Sequence, residues 1–347
     1  MSQHLRNRLS FNTSYGISRL KSSRIFKRKL HECRENRQIV GFMKISPERQ
    51  ERLTAAATAA FLRLARWTPL SVGLAGGRLM GAAACKLLSR HRRIAMANLN
   101  FAFRNEKCPA EIQRLTFRNF EQWGMIAVEL ARSYPWCDVE PVRFPFPVQV
   151  RGLSHLENAR RKSAAVLLLS AHFGNWEFGH YYYGRYIHTL NFIVRRIDNR
   201  YLETRRVAIN RRFGVNILYK EVGLKAAIKN LRNGQDLVIF ADQKANPREG
   251  VTGLFFGRQS TSIPLVASFA KKFQLPIVPM FVVRRGNSAT HELTFLPELE
   301  FAPEDSTTTI TQRQNDIIEK MIRRHPDHWL WMHRRWKTEY PEIYETN

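Results

Sequence analysis

The run Ala164-Ala-Val-Leu-Leu-Leu-Ser170 is continuously apolar with no alternation of polar residues. That is the pattern of a strand buried on both faces. Such a strand needs neighbours in a sheet and helices above and below it, so it commits the chain to a layered α/β architecture. Further runs follow at Leu190–Val194, Val215–Tyr219, Asp236–Ala241 and Pro276–Val283, and His291–Leu296 reads as an edge strand. Helical patterns lie between them over Arg200–Phe213, Gly223–Arg232 and Ser262–Phe273, and Thr309–Arg324 reads as a final helix. This alternation predicts a mostly parallel central sheet flanked by helices.

From Ser46 to about Trp136 the patterning is helical, with apolar residues at three- and four-residue spacing over Arg93–Phe103 and Ala110–Tyr134. The stretch Leu53–Leu88 is rich in Ala, Leu and Gly but is interrupted by Arg63, Arg66, Arg78 and Lys86. It is not a clean apolar span of about 20 residues. Two readings fit it: an amphipathic segment lying in a membrane interface with its arginines snorkelling, or a helical pair packed on the domain's own core. Residues 1–42 hold ten lysines and arginines against Glu32 and Glu35, and they lack the apolar core of a secretory signal. They read as a disordered basic arm, an organelle-type presequence or, the favoured reading, an extension upstream of a natural start at Met43, where Ser46 and Pro47 suit a helix N-cap and N1. The expected organisation is therefore a basic arm (1–42), a helical membrane-associating region (43–140) and a catalytic α/β region (141–347).

The charge narrows the partner. Lys and Arg number 56 against 29 Asp and Glu, a net +27, and most of it lies beyond the basic arm. A polyanion is implied, either nucleic acid or an anionic membrane surface carrying phosphorylated lipids. Cys33, Cys85, Cys108 and Cys137 are widely spaced with no C-x-x-C. That spacing argues against a zinc site or disulfide framework and for a reducing compartment.

The chemistry concentrates just after the buried strand, in Ser170-Ala-His172-Phe-Gly-Asn-Trp-Glu177. Ligands of open α/β sheets sit at the carboxyl ends of strands. A spacing of five would point His172 and Glu177 apart on one continuous helix. They can meet only if His172 stands in a strand-to-helix turn and Glu177 in the first helical turn, and Gly174 and Asn175 suit such a turn. An imidazole backed by a carboxylate can take a proton from a hydroxyl; a capping or core histidine is the plainer alternative.

The block His172-Phe-Gly-Asn-Trp-Glu177 resembles the H-x4-E signature of the bacterial lipid A late acyltransferases, a branch of the lysophospholipid acyltransferase superfamily. The wider superfamily usually carries H-x4-D, and the Glu with the preceding Asn-Trp marks this branch. Further blocks are similar in order: Arg195-Arg196 with Asn199, Arg212-Phe-Gly214, Asp242-Gln243, Phe255-Phe-Gly257 with Thr261, and Trp329-Leu-Trp331-Met-His-Arg334-Arg335-Trp336. Together they span about residues 50–338.

The resemblance implies His172 as general base with Glu177 as its partner, and Arg195 beside the reacting carbonyl as an oxyanion donor. It places Asn175, Trp176, Arg196, Asn199, Asp242, Gln243, Gly257, Thr261, Arg334 and Arg335 on the substrate side, with Asp242 supporting the site or positioning the acceptor. Arg196 stands where the family commonly has proline. It further implies direct transfer of a fatty acyl chain from acyl-carrier protein to a hydroxyl of a lipid A precursor, at the cytoplasmic face of the inner membrane, with no metal or cofactor. Transferases for phosphoinositol mannosides, lysophospholipids or aminolipids share the branch and stay open as alternatives.

Two features allow more than one reading. His180-Tyr-Tyr-Tyr-Gly-Arg-Tyr186 suits either an acyl-chain tunnel or helix packing. Arg334, Arg335 and Lys337 suit a grip on lipid phosphate or on the acidic helix of a carrier protein, or a solvated face. The interleaving of aromatic and basic residues at Trp329–Lys337 also raises nucleic-acid binding, but no recognisable binding signature accompanies it. A catalytically dead membrane scaffold is the third class, and the intact His172 and Glu177 argue against it.

Overall fold

The computed structural model describes residues 56, 58, 60–133, 144, 146–220 and 223–345. The expectations for the arm (1–42), for Met43 and for Cys33 and Cys137 lie outside these residues. A helical stretch over 60–67 leads into three helices, α1 (Leu70–Leu87), α2 (Ser89–Ala102) and α3 (Pro109–Ser133). Helices α1 and α3 cross closely because Gly77 and Gly81 meet Gly124. A Cβ on Gly124 would collide with the Gly77 carbonyl oxygen, so the backbones themselves form the contact.

The α/β layer follows as β1 (Val148–Arg151), α4 (Leu153–Lys162), β2 (Leu167–Ser170), α5 (Trp176–Tyr186), β3 (Leu190–Val194), α6 (Arg200–Arg212), β4 (Val215–Tyr219), α7 (Gly223–Arg232) and β5 (Asp236–Phe240). Next come β6 (Val251–Phe255), β7 (Arg258–Ser262), α8 (Leu265–Phe273), β8 (Ile277–Arg284), β9 (His291–Phe295) and α9 (Thr307–Arg324). The main sheet has seven strands in the order β1-β9-β8-β2-β5-β3-β4. Its pairs are parallel except β8 with β9.

This is the expected α/β class, and the fully buried β2 sits at the centre of the sheet as its sequence requires. Two details differ. The strand at His291–Phe295 is not the edge, because β1 pairs alongside it and takes the outer position. Ser262 is the last residue of a strand, not the start of a helix. Strands β6 and β7 form a separate antiparallel hairpin whose two-residue turn, Phe256-Gly257, has φ of 55° and 65°. This is the geometry of a type I′ hairpin turn, and the glycine accepts it readily.

Both faces of the sheet are covered. Leu156, Ala159 and Tyr183 from α4 and α5 pack on one face. On the other, Phe269 of α8 and Ile318 of α9 join Leu99 and Phe120 from the helical region, together with Trp329, Trp331 and Trp336. The tryptophan segment has little regular structure. Side-chain amides from the helical region hold it: Asn119 donates to the carbonyls of Asp327 (2.8 Å) and Trp329 (2.7 Å), and Asn98 to those of Trp331 (2.6 Å) and His333 (2.7 Å).

Candidate active site

Strand β2 pairs in parallel with β5, and the last registered pair is Ser170 with Phe240. Two residues further along both chains, at the carboxyl rim of the sheet, stand His172 and Asp242. Their side chains meet: His172 Nδ1 is 3.0 Å from Asp242 Oδ1. The second carboxylate oxygen accepts a 2.8 Å hydrogen bond from the Trp329 indole. Asp242 is buried while the His172 side chain keeps 24% of its surface exposed, so the carboxylate lies behind the imidazole and the imidazole faces outward.

Burial alone would raise the Asp242 carboxyl. The charge of His172 and the hydrogen bonds from His172 and Trp329 reverse this and hold it below its usual value. A carboxylate at Nδ1 places the ring proton there and leaves Nε2 as the accepting nitrogen. The Gln243 amide nitrogen lies 3.4 Å from that Nε2. Trp176 and Phe240 meet the imidazole edge-on at 5.2 and 4.8 Å between ring centroids, which limits its orientation. The turn carrying His172 is tight. Gly174 has φ of 57° and its α-carbon lies against the Val282 carbonyl, and the His172 carbonyl accepts from Leu330 N at 3.0 Å.

His172 does stand in the strand-to-helix turn, and Glu177 is the second residue of α5. Glu177 is nevertheless directed to α6 rather than to the Nδ1 of His172. It is partly buried, and burial raises its carboxyl against the opposing influence of Arg206, of hydrogen bonds from Tyr181 and Asn210, and of His172. Its Oε2 has no hydrogen-bond partner among the described residues. The partner role expected of Glu177 is therefore filled geometrically by Asp242, 70 residues away in sequence.

Arg195 differs as well. It follows β3, which β5 separates from β2, so it starts roughly 10 Å from His172 across two strand spacings. Its side chain is 80% exposed and pairs with Asp198 at 3.2 Å. Arg196 lies over the Tyr219 ring, 4.2 Å from the centroid. Asn199 caps α6 by accepting from Leu202 N, and Asn175 caps α5 by accepting from Phe178 N.

Of three further expected substrate residues, one lies on the surface and two, Thr261 and Arg335, are buried. Gly257 sits in the exposed hairpin turn. Thr261 is buried and donates to Glu339 through its backbone N at 2.6 Å and its hydroxyl. Arg335 is fully buried and donates to the Thr261 carbonyl (2.7 Å) and the Ser262 hydroxyl (2.6 Å), so it cannot grip a ligand in solvent. Arg334 lies over the Tyr344 ring, 5.7 Å from its centroid.

The tyrosine cluster serves largely as packing. Tyr183 donates to Asp236 Oδ2 at 2.6 Å, and Tyr181 stacks on Phe213. Sequence reasoning missed the supporting role of Trp329 and the buried histidines beside the site. The only available signal was the tryptophan-rich block itself.

His180 is fully buried, is packed by Phe192 and Phe240, and has no hydrogen-bond partner for either ring nitrogen among the described residues. Burial, then the charge of His172, pushes it down from 6.5 to about 3. Between those two values the unfolded chain binds a proton that the folded chain refuses, so stability falls as pH falls below about 6.5. His180→Leu should raise the melting temperature and flatten its decline between pH 7 and pH 5. Thermal denaturation at several pH values checks this, and an unchanged slope would contradict it.

An outward-facing imidazole backed by a buried carboxylate at the carboxyl rim of a largely parallel sheet is the kind of site an α/β enzyme carries. Comparison with known proteins identifies the family, because the bacterial lipid A biosynthesis acyltransferases match residues 44–338. The lipid A biosynthesis lauroyltransferase of Escherichia coli K12 is 26% identical over 260 residues, covering 75% of this chain and 83% of that protein. The palmitoleoyltransferase of the same organism is 26% identical over 266 residues (76% and 84%), and its myristoyltransferase 24% over 271 residues (76% and 80%). The crystal structure of the 1-acyl-sn-glycerophosphate acyltransferase PlsC from Thermotoga maritima aligns with a TM-score of 0.33 at 14% identity, over 67% of this chain and 97% of that one. This chain belongs to the bacterial lipid A biosynthesis acyltransferase family, and it is an O-acyltransferase.

Proposed function

We propose that the chain moves a fatty acyl group from an acyl-carrier-protein thioester to a hydroxyl of a lipid A precursor or closely related phosphorylated glycolipid. It works at the cytoplasmic face of the inner membrane, by direct general-base catalysis. The single observation that carries this reading is the arrangement His172–Asp242–Trp329 at the sheet rim. Asp242 holds the proton of His172 on Nδ1, and Nε2 takes the proton of the acceptor hydroxyl as its oxygen attacks the thioester carbonyl carbon. The new C–O bond forms, the C–S bond breaks, and the imidazolium returns the proton to the departing thiolate. Asp242 stabilises the imidazolium through the same short contact.

The polyanionic acceptor has a suitable place nearby. Arg195, Arg196 and Arg200, together with Asp198 and Glu203, line a cavity of about 590 Å³ at the rim beyond β3, beside the amino end of α6, and leave it a net positive charge. This supports a substrate-side role for Arg195 and Arg196 toward phosphate, where a guanidinium fork pairs with two oxygens. Transfer assays on purified protein with mixed acyl-carrier-protein donors and a panel of lipid acceptors test the proposal by mass spectrometry. A chain added to a lipid A precursor by the wild type and lost in His172→Ala is the expected result. Thioester hydrolysis with no acceptor modified would remove the acceptor assignment.

The outer face of the helical region supports attachment to a membrane surface. No helix among the described residues is long and apolar enough to cross a membrane. Trp67, Leu79 and Leu87 are nevertheless 84%, 73% and 79% exposed. Arg63, Arg66, Arg78 and Lys86 accompany them on the same segment. Apolar side chains that can sink among acyl chains, beside cations that reach headgroup phosphates, suit an interfacial segment. Each large side chain contributes about 1.5–3 kcal/mol when removed from water. Replacing Trp67, Leu79 and Leu87 together by Glu should therefore lower binding to anionic vesicles by well over tenfold while leaving the melting temperature near that of the wild type. Flotation with vesicles measures this, and undiminished binding would remove the outer face of 60–67 and α1 as the attachment surface.

A further inference from the structure

The catalytic turn is held by a charged cluster that the reaction itself does not use. Glu129 of α3 is fully buried, and its carboxylate forms a two-pronged ion pair with Arg284, the last residue of β8. His291, the first residue of β9, places Nε2 3.0 Å from Glu129 Oε1. Gln122, one helical face along α3, accepts from Arg284 Nε at 3.1 Å. Burial works against the charged carboxylate, but His291 and Arg284 outweigh it and hold Glu129 below its ordinary value. The pair is thus a satisfied internal one, complete without further partners.

It has one more partner all the same. Asn175, three residues beyond His172 and 1% exposed, donates its side-chain amide to Glu129 Oε2 at 2.8 Å. With its carbonyl oxygen the same side chain caps α5, accepting from Phe178 N. Among the good N-cap residues, Asn alone offers an acceptor for the helix and an N–H donor for a carboxylate. Asp would set two carboxylates against each other, and Ser or Thr would not span both groups. Gly174 N, on the other side of the turn, donates to the His328 carbonyl at 3.0 Å, while His328 Nε2 accepts from Arg284 N at 3.2 Å. The turn that presents His172 is therefore tied through Asn175 to α3 and through Gly174 to the segment that carries Trp329.

We propose that Glu129 is a positioning residue for acyl transfer, acting from the helical region through the Asn175 amide to hold the His172 turn in register with Asp242. This rests on the reading of His172 as the general base. The helical region then has two duties: its outer face meets the membrane and its inner face sets the catalytic geometry. A displacement of about an ångström at a reacting group can cost on the order of 100-fold in rate. The link should accordingly appear in kcat and not in KM.

Asn175→Ser keeps a cap for α5, removes the donor to Glu129 and leaves the Glu129–Arg284–His291 cluster intact. It should lower kcat by roughly 10- to 100-fold with KM for both substrates nearly unchanged, and hydrogen exchange should quicken in residues 172–178. The paired change Glu129→Leu with Arg284→Met removes both buried charges and should fold. It should show the same loss of kcat and the same faster exchange, and adding Asn175→Ser to it should cost nothing further. Glu129→Gln retains an acceptor for Asn175 and should keep more activity than the leucine variant. Wild-type kcat and unchanged exchange in either the serine or the paired variant would overturn the proposal. Exchange is read without substrate, so faster exchange with no transfer by the wild type would sustain the positioning link while rejecting the acyl-acceptor reading.

Discussion

Asp242→Asn should lose roughly 10²–10⁴-fold in kcat while KM changes little. The asparagine is nearly the same shape, and its carbonyl oxygen can still accept from the Trp329 indole, which lies 2.8 Å from the native carboxylate. Its amide group then faces His172 Nδ1 across the present 3.0 Å contact. Two donors cannot share that contact, so the imidazole turns to the tautomer with its proton on Nε2 and can no longer accept one from a hydroxyl. Steady-state transfer kinetics measure the loss, and the nitrogen resonances of the imidazole report the tautomer directly. Glu177→Gln is the informative partner experiment. Glu177 faces Arg206, Tyr181 and Asn210, and an amide retains much of that bonding, so its loss should be markedly smaller. An active Asp242→Asn beside an inactive Glu177→Gln would reverse the assignment of the carboxylate behind His172.

Arg335→Ala should destabilise the protein by about 3–5 kcal/mol. The guanidinium is wholly inside, donates to the Thr261 carbonyl and the Ser262 hydroxyl, and lies 5.0 Å from the centre of the Phe255 ring. Burial pulls its pKa down from the ordinary guanidinium value to about 10, against the attraction of Asp242, Glu339 and Tyr344. Truncation leaves a buried carbonyl and hydroxyl short of a donor and opens a void beside the Phe255 ring. Arg335→Lys should recover little, since an ammonium cannot reproduce the planar fork. Urea denaturation gives the number, and a midpoint equal to that of the wild type would return Arg335 to the surface role its sequence suggests. Because the hairpin and the tryptophan segment share this joint, activity should fall with stability.

These two residues show what the order of amino acids decided and what it left open. The apolar Ala164–Ser170 run, the helical spacing of 110–133 and the glycine at 174 specify a strand, a helix and a turn through local periodicity and backbone conformation; the helix and turn lie where their patterns require, and the strand takes the last four residues of its run, Leu167–Ser170. His172 was legible for the same reason: a polar residue directly after a doubly buried strand has nowhere to go but the rim of the sheet. The partner of His172 was not legible. Spacing within one motif favoured Glu177, yet the choice depends on β2 and β5 being neighbours, and strand order is a property of the assembled sheet. The same holds for Arg335 and Arg334. A run of tryptophans and arginines reads alike whether it faces solvent or core, and only the hairpin closing over it put one guanidinium inside. Glu129, far upstream in a helix, carried no signal at all, because its meaning comes from Arg284, His291 and Asn175 arriving from three other elements. Local chemistry, written in periods of two and three-and-a-half residues, was determined by the sequence alone. Which charges share the interior was decided by the tertiary structure, since burial makes an unpaired charge costly and only the complete fold determines which partners are within reach.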